Sequence, residues 1–388
     1  MKKYVDEKYI LELYHLLHRC PEIGYDLPKT VAIVKGELEK IGIKCTEDFA
    51  KSSVVGYINP EKDGFTIAIR ADMDALPIEE RSGLDFRSEH KGAMHACGHD
   101  IHTAILLGAA KALYEMREKI ECRIKLIFQP NEEGADSAAG LMAKNGVLDD
   151  VDIIIGLHNS TALDVGQIGV CEGPFMAGVR NFEIEVFGKT SHATRPEAGC
   201  DAIAASVDIY KEIKDIVNRK KSEGNICLCS VGAFNSGSAH NVISDYSELK
   251  GTLRTYDAIL DIEIFDAIRS SAESAAEAYG CTVKLHSSEP LCPVINDPKV
   301  TNSFRKSAEK IVGKENVITI DKKLSSEDFA DYLAKIPGTF FNLGVGTPGD
   351  IRRPVIHNSD YKADERGIAF GGDVFVQFVL DNMNGLIE

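Results

Sequence analysis

Apolar residues recur along the chain at two spacings, which predict helices and strands in a definite order. The helical spacing of three to four residues occupies residues 4–18, 29–41 and 101–118. Shorter apolar runs, typical of buried strands, occupy residues 66–71, 122–128 and 151–157. Strands that alternate with helices in this way predict an α/β fold, with a mainly parallel sheet and flanking helices.

From residue 178 the pattern changes to an alternation of polar and apolar residues, which is typical of half-exposed strands. Such strands are predicted at residues 181–187, 226–234, 247–255 and 281–287. Helical segments lie between them at residues 201–219 and 260–279. This β-α-β-β-α-β order predicts an open-faced α+β sandwich, residues 178–290, inserted into a catalytic domain of residues 1–177 and 291–388. The last part of that domain supplies a helix at 300–312 and a strand at 338–343.

The composition argues against some classes of binding partner and favours one cellular location. The 388 residues include 60 acids and 44 bases, a formal net charge of −16, which argues against nucleic acid or an anionic membrane as partner. The start lacks the apolar core of a signal peptide, and no apolar run could span a bilayer. Ten scattered cysteines then favour a reducing cytoplasm. The close pair Cys227 and Cys229 lies in an alternating stretch, which favours strand packing over metal binding.

The heptapeptide MHACGHD, residues 94–100, places a thiol and an imidazole two positions apart. Residues i and i+2 of an extended or loop backbone project to the same side, so Cys97 and His99 can point into one volume. Thiolate and imidazole are ligands that zinc and related ions prefer. Asp100 is expected to cap the helix that follows. By itself, the heptapeptide fits a buried structural cysteine and a surface histidine equally well.

Further metal-type side chains follow the predicted strands. Asp72 and Asp74 follow the first strand, Glu132 and Glu133 the second, and His158 the third. Ligands of parallel sheets bind outside the carboxyl ends of the strands. Each residue has an ordinary explanation when it is taken singly, as a turn aspartate, a solvated acid pair or a hydrogen-bonded histidine. Their coincidence at one edge of the sheet favours a metal site.

The candidate ligands are Cys97, His99, Glu133, His158 and His357. Five ligands exceed the four of a closed structural zinc site and suit two divalent ions that share a bridging ligand. Asp74 and Asp100 are expected beside them, as bridging carboxylates or as hydrogen-bond partners of the ligands. Because neighbouring residues of an extended segment point in opposite directions, Glu132 can face a water when Glu133 faces a metal. Glu132 is therefore the candidate general base, which passes the proton of water to a leaving amine.

Five sequence strings resemble those of the aminoacylase/carboxypeptidase metallopeptidase family. They are RADMDALP (70–77), MHACGHD (94–100), QPNEEG (129–134), GLH (156–158) and SSEDFA (325–330). Within the family they resemble the amidohydrolase branch, which contains hippurate hydrolases, N-acyl-amino-acid deacylases and auxin-conjugate hydrolases. The strings occur in the same order over essentially the whole chain. The resemblance implies that the five candidate ligands bind two metals, that Glu132 is the general base, and that the inserted domain supplies dimer contacts and part of the substrate site.

His192, Asn241 and Arg254 keep the residue types of this branch. Without the resemblance they would be interpreted as a loop histidine, a turn asparagine and a strand-surface arginine. Two positions depart from the branch. Glu197 stands where a histidine is common, and Ser244 stands where a proline is common. Because Glu197 adds an acid near the expected substrate entrance, substrate preference does not carry over.

These features predict a cytoplasmic two-metal amidase that cleaves the amide bond of a small N-acyl-L-amino acid. Asn241 or Arg254 would pair with the substrate α-carboxylate, and His192 of the other subunit of a homodimer would stabilise the oxyanion. Thiolate ligation favours zinc, with manganese, cobalt or nickel as alternatives. A dipeptidase or aminopeptidase of the same architecture is the rival function. A non-catalytic metal-dependent binding protein is a third, although it would not need Glu132.

Overall fold

The computed structural model describes residues 2–134 and 136–387, and it divides into two compact units. The larger unit contains Met1–Gly173, Ile295–Asp321 and Asp328–Glu388. The smaller unit contains Pro174–Val294 and Lys322–Glu327. The predicted domain limits lie within four residues of the insertion's ends, but they do not assign Lys322–Glu327 to the smaller unit. Within the described residues, no helix is long and apolar enough to cross a membrane.

The described residues form nine α-helices and sixteen strands, numbered here in chain order. The helices are α1 (Glu7–Arg19), α2 (Pro28–Ile41), α3 (His99–Glu115), α4 (Ala138–Lys144), α5 (Ala202–Ser222), α6 (Ala258–Ala278), α7 (Pro298–Val312), α8 (Ala330–Leu333) and α9 (Ile368–Asn382). The strands are β1 (Lys44–Thr46), β2 (Val54–Ile58), β3 (Thr66–Asp72), β4 (Arg123–Gln129), β5 (Ile153–Asp164), β6 (Ile168–Val170), β7 (Gly173–Met176), β8 (Gly178–Phe187), β9 (Ser191–His192), β10 (Cys227–Ser236), β11 (Val242–Ile243), β12 (Tyr246–Thr255), β13 (Thr282–Ser287), β14 (Val294–Asn296), β15 (Val317–Thr319) and β16 (Gly338–Gly346).

The larger unit contains an eight-stranded sheet in the order β1-β2-β4-β3-β5-β16-β6-β15. Its four central strands, β4, β3, β5 and β16, are parallel to one another. Strand β3 is buried along its whole length, as a strand covered by helices on both faces must be. The predicted α/β fold with a mainly parallel sheet is therefore confirmed. The three-residue strands β1, β6 and β15 were not predicted, because so few residues carry no measurable period.

Strand β5 extends to Asp164, so the prediction that His158 follows the end of its strand is wrong. Strand β3 pairs with β5 only as far as Arg70 opposite Gly156. Strand β16 stays paired with β5 beyond that point, with Asn342 opposite His158. The longer pairing with β16 extends the strand. His158 nevertheless lies two residues beyond the last pair of β3 with β5, near the edge of the sheet that the sequence predicts.

Helix α3 begins at His99, two residues before the predicted start. Its N-cap is Gly98, whose φ is +87° and which adjoins the Asn159 side chain so closely that an added Cβ would lie 2.3 Å from Nδ2. Only glycine fits such a position. Asp100 lies inside the first turn of α3, and its carboxylate accepts a hydrogen bond from His18. The predicted role of Asp100 as a helix cap is therefore wrong, because the helix has already begun.

His18 joins helix α1 to the start of α3. Its Nδ1 lies 2.6 Å from Asp100 Oδ2 and its Nε2 lies 3.1 Å from Glu80 Oε1. Burial opposes the charged imidazolium, but the two carboxylates outweigh this effect and raise the pKa of His18 to about 9. His18 is 1% exposed, so little solvent screens the cluster. The imidazolium therefore holds two acids and two helices together at neutral pH.

The smaller unit has the predicted β-α-β-β-α-β order, made by β8, α5, β10, β12, α6 and β13. Its four strands form an antiparallel sheet in the order β10-β12-β8-β13. Alternate apolar residues of the strands pack with buried residues of α5 and α6 in one core. Cys227 and Cys229 belong to this core, so the prediction that they serve strand packing is confirmed. The open-faced sandwich follows from alternation in the strands and helical spacing in between.

We expect His18→Gln to destabilise the protein in a pH-dependent way. The pKa of His18 is raised on folding, so its ion pairs contribute fully below the unfolded pKa of about 6.5, and this contribution is lost as pH rises through about 9. The shift corresponds to about 3 kcal/mol. Urea unfolding at several pH values measures the difference in unfolding free energy between wild type and variant, which should shrink between pH 6.5 and 9. His15→Gln is the control, because His15 faces Glu365 from a site that is one-third exposed. A difference in unfolding free energy between wild type and His18→Gln that stays constant with pH would contradict the charged cluster.

Candidate metal centre and active site

The structure brings the five candidate ligands together in the larger unit. Cys97 Sγ lies 3.2 Å from His158 Nε2 and 3.3 Å from His357 Nε2. His357 Nε2 also lies 3.2 Å from Glu133 Oε1. His99 Nε2 lies 3.8 Å from the same Glu133 oxygen. Side chains that are distant in sequence thus converge on the Cys97 sulfur.

The ligand atoms form two groups of three that share Cys97. One group is Cys97, His99 and His158, and the other is Cys97, Glu133 and His357. Within each group the atoms lie within 4.8 Å of one another. A tetrahedral ion that binds nitrogen, oxygen and sulfur at about 2.0–2.3 Å holds its ligands at about 3–4 Å from one another. The two groups therefore have the size of two metal sites joined by one thiolate.

The chemistry of these residues also fits divalent cations. Three buried atoms, His99 Nδ1, His99 Nε2 and Glu133 Oε1, make no well-aligned hydrogen bond within the described part of the chain, although Asp74 Oδ1 lies 3.5 Å from His99 Nδ1 and His357 Nε2 lies 3.2 Å from Glu133 Oε1. An unsatisfied buried polar atom costs about 1–3 kcal/mol. Burial raises the pKa of the Cys97 thiol well above its ordinary value, despite the opposing effect of His99. A cation would satisfy the buried atoms and stabilise the thiolate, with release of a proton.

Asp74 holds the loop that carries both glutamates. Its two carboxylate oxygens accept hydrogen bonds from the backbone of Glu132 at 2.9 Å and of Glu133 at 3.1 Å. Asp74 Oδ1 also lies 3.5 Å from His99 Nδ1, which leaves His99 Nε2 on the side of Glu133. A carboxylate behind the second nitrogen is the usual partner of a metal-binding histidine. Asp74 thus lies behind His99, and its role beside a metal site stays a prediction.

His158 is fixed in the orientation that a ligand needs. Its Nδ1 donates to the carbonyl of Asn159 at 2.7 Å, so Nε2 is the atom that faces Cys97. Burial, together with the neighbouring His102 and His99, lowers the pKa of His158 to about 3. The ring is therefore neutral at physiological pH, and its Nε2 lone pair is available to a metal.

The sequence predicts an extended segment in which Glu132 and Glu133 point in opposite directions. In the structure they do not. A carboxylate oxygen of each lies 3.8 Å from His99 Nε2. The reason is the backbone before them, because Asn131 has a φ of +52° and the segment is a turn. Both carboxylates thus adjoin the same imidazole, and Glu132 remains close enough to the ligand groups for a proton transfer there.

His357 reaches the site from a strained backbone. Its φ is +63°, a conformation uncommon for residues other than glycine, and its amide donates to the carbonyl of Ala96 at 2.8 Å. Its side chain is 49% exposed, whereas His99 is fully buried. Backbone strain of this kind persists only where the surroundings impose it, and it is common at functional sites.

A buried series of hydrogen bonds, which the sequence does not predict, lies behind the candidate ligands. Arg70 Nη1 donates to Asp72 at 2.7 Å, His102 Nδ1 lies 2.6 Å from the other Asp72 oxygen, and His102 Nε2 accepts from the amide of Asn159 at 2.9 Å. Asp72 is the last residue of strand β3 and is fully buried, so it belongs to the strand and not to the loop in which the sequence predicts it. The spacing of these residues in the sequence could have identified the series of hydrogen bonds. Arg70 precedes Asp72 by two strand residues, and His102 follows His99 by three helix residues.

The predicted substrate residues lie in the smaller unit, apart in sequence from the ligands. Strands β9 and β11 pair His192 with Val242, and the carbonyl of Asn241 accepts from the amide of Ala193 at 3.0 Å. His192 and Asn241, both exposed, therefore share one short ribbon. Arg254 lies on β12 instead, where its Nη1 donates to the carbonyl of Leu324 at 2.9 Å.

The two departures from the family pattern have different surroundings. Ser244 is 8% exposed and its hydroxyl donates to the carbonyl of Tyr246 at 2.8 Å, so it fixes the turn that follows β11. Glu197 is exposed in the short turn Pro196–Ala198.

Asp100, predicted beside the metals, directs its carboxylate to His18 and to the amide of Ile101. A direct contribution of Asp100 to the metal site stays a prediction.

Known proteins resemble this chain over most of its length. Residues 68–381 match peptidase family M20/M25/M40. The N-acetyl-L-cysteine deacetylase of Bacillus subtilis (strain 168) is 39% identical over 350 residues, which are 90% of this chain and 83% of that protein. Thermostable carboxypeptidase 1 of Saccharolobus solfataricus is 35% identical over 368 residues, which are 94% of this chain and 93% of that protein.

A solved structure gives the same result for the fold. The crystal structure of a Bacillus subtilis dinuclear metal binding peptidase from the M20 family matches with a TM-score of 0.82 and 33% identity. The match covers 96% of this chain and 97% of the other. The family resemblance in the sequence strings is thus confirmed. The chain belongs to peptidase family M20/M25/M40 and is a hydrolase of amide bonds.

Proposed function

We propose that this hydrolase removes the acyl group from N-acyl-L-amino acids with two divalent metal ions. The observation that carries the proposal is the position of Cys97 in two ligand groups beside two glutamates. The deacetylase relative at 39% identity supports an acyl amino acid as substrate. All ten cysteines are free thiols, which supports a cytoplasmic location. The soft Cys97 ligand favours zinc, with manganese, cobalt or nickel as alternatives.

Bound divalent ions supply Lewis acidity, which lowers the pKa of water and polarises the amide carbonyl. Glu132 takes the proton of the attacking water and delivers it to the leaving nitrogen as the carbon–nitrogen bond breaks. Asp74 keeps Glu132 and Glu133 at a fixed spacing through their backbone amides. The general base and the ligand carboxylate thus keep constant positions during the proton transfer.

The smaller unit supplies groups for the substrate. Asn241 and Arg254 are the candidates for pairing with the α-carboxylate. His192 Nδ1 accepts from the amide of Thr194 at 3.3 Å, so the proton of the neutral ring is on Nε2. Nε2 can then donate to the oxyanion that forms when water attacks the amide. The exposed ribbon of His192 and Asn241 leaves both side chains accessible to a ligand.

A peptidase that acts on free peptides is the second candidate, which the carboxypeptidase relative supports. The experiment compares kcat/KM for N-acetyl amino acids and for dipeptides with the same C-terminal residue, after each of the four metals is restored to the chelated protein. We expect the N-acetyl compounds to be the better substrates, because no acid is assigned to hold a free α-ammonium. Faster cleavage of the dipeptides would favour the peptidase and contradict the proposal.

We expect Glu132→Gln to keep its metals and lose turnover. The change removes the base but none of the five proposed ligands, and loss of a general base lowers rates by about 10² to 10⁴. Metal content by mass spectrometry and kcat on the best N-acyl substrate are the measurements. Glu133→Gln is the matched control, since it should lower metal content as well as activity. A Glu132→Gln variant with near-normal kcat and full metal content would show that another group is the base.

His192 is proposed to act in the active site of a partner subunit. Strand β10 is an edge of the smaller sheet, and such edges are natural pairing surfaces between two copies of a chain. Loss of one oxyanion donor costs about 2.7–4 kcal/mol of transition-state stabilisation. His192→Ala and Glu132→Gln chains should each be nearly inactive. When they are mixed, each heterodimer should have one intact site and one site that lacks both residues.

Activity of the mixture should therefore recover towards half of the wild-type value per heterodimer. Subunit exchange is verified separately, by native mass spectrometry of chains with different tags. If exchange is complete and no activity returns, His192 acts within its own chain. A wild-type protein that stays monomeric at assay concentrations would equally exclude the shared site.

A further inference from the structure

Asn159 stands behind the candidate ligands and contacts two of them. Its carbonyl accepts from His158 Nδ1 at 2.7 Å, and its side-chain Nδ2 donates to the carbonyl of Cys97 at 2.6 Å. Its Oδ1 accepts from the hydroxyl of Tyr361. Asn159 is 2% exposed, so water does not compete for these bonds. One residue thus fixes the ring of one ligand and the backbone of another.

His102 holds Asn159 in turn. Its Nε2 lies 2.9 Å from both the backbone nitrogen and the side-chain nitrogen of Asn159. A ring nitrogen that accepts hydrogen bonds carries no proton, so neutral His102 has its proton on Nδ1 and donates it to Asp72 at 2.6 Å. His102 therefore has one defined tautomer and one defined orientation.

The chain of bonds ends on groups that cannot move easily. Asp72 accepts from Arg70 Nη1 at 2.7 Å, and Arg70 Nη2 donates to Asp328 at 2.9 Å. All three charged side chains are 3% exposed or less. Buried charged groups keep a single arrangement, because a misaligned partner in a low dielectric is costly. A rigid anchor is thereby connected through His102 to Asn159.

We propose that Asn159 is the positioning residue that sets the spacing between Cys97 and His158, and that His102 keeps it in place. The proposal rests on the two-metal site of the proposed function. Cys97 and His158 belong to the same ligand group, whereas the second group shares only Cys97 with it. Loss of Asn159 should therefore weaken one metal site more than the other.

The test replaces Asn159 by leucine, which has a similar volume and no hydrogen-bonding atom in its side chain. The bond that ties the Cys97 carbonyl to strand β5 beside His158 is lost, whereas the backbone carbonyl that accepts from His158 Nδ1 remains. Co²⁺ is added to the chelator-treated full-length chain. Thiolate-to-cobalt charge-transfer absorption reports binding at Cys97, and competition with a chelator gives the affinity of each step. We expect Asn159→Leu to weaken one of the two steps by about 10- to 100-fold, the usual effect of removing a partner of a metal ligand. The other step should change less.

Asn296 provides a matched control. It is a fully buried asparagine of the larger unit whose Nδ2 donates to the carbonyls of Cys171 at 2.7 Å and Phe340 at 2.9 Å. Asn296→Leu should lower the stability of the protein and leave both Co²⁺ affinities unchanged. Equal losses of affinity in the two leucine variants would mean that Asn159 serves only the fold, and would overturn the proposal.

A second pair of variants covers the case in which Asn159→Leu does not fold. In His102→Gln the amide oxygen can still accept from Asn159, whereas His102→Leu offers no acceptor. The weakened Co²⁺ affinity should follow the order wild type, glutamine, leucine. Equal Co²⁺ affinities in His102→Gln and His102→Leu would overturn the positioning role. Wild-type Co²⁺ affinities in Asn159→Leu would overturn it as well. A wild-type chain that binds no Co²⁺ would overturn the metal site itself, and this inference with it.

Discussion

The structure depends on a buried thiol and a buried imidazole at the start of helix α3, because both need polar groups around them in place of water. Cys97 is 5% exposed and His99 is fully buried. Ionisable groups removed from water are stable only when opposite charges and hydrogen bonds replace it. Asp74 lies behind His99, and Asp72 also comes within 3.8 Å of the same ring. The acids at the ends of the parallel strands thus supply negative charge beside the buried imidazole.

Stability does not by itself explain the charges in strand β3. A buried ion pair can often be replaced by apolar residues of similar volume at no loss, or with a gain, in stability. Arg70 and Asp72 nevertheless occupy a buried strand whose other residues, apart from Thr66, are apolar. What they add is a fixed geometry, because each holds partners on neighbouring segments that lead to Asn159. The positioning role proposed for Asn159 would give a reason for charges that the core does not need.

The sequence predicts those parts of the fold and site that depend on local pattern. Strands β3 to β5 are largely apolar runs followed by, or containing, side chains of metal-binding type, so the sheet could be predicted and a metal site could be proposed. Helix α9 is buried on nearly all sides and has no polar face, which hides its helical period. The left-handed turn at Asn131 redirects Glu132, and the sequence shows no sign of it. His158 and His357 lie 61 and 260 residues from Cys97, and no local pattern records which of their neighbours will orient them.

The two ligand groups differ in how firmly the fold builds them. Cys97, His99 and His158 are held by the start of α3, by strand β5 and by the hydrogen bonds of Asn159. Glu133 and His357 instead depend on backbone turns, with a positive φ at Asn131 before one and at His357 itself. A site enclosed on all sides would admit no substrate, so the proposed function needs one of the two groups to be built from exposed segments. The half-exposed His357 meets that need of the proposed function, while the other group encloses Cys97 in the interior.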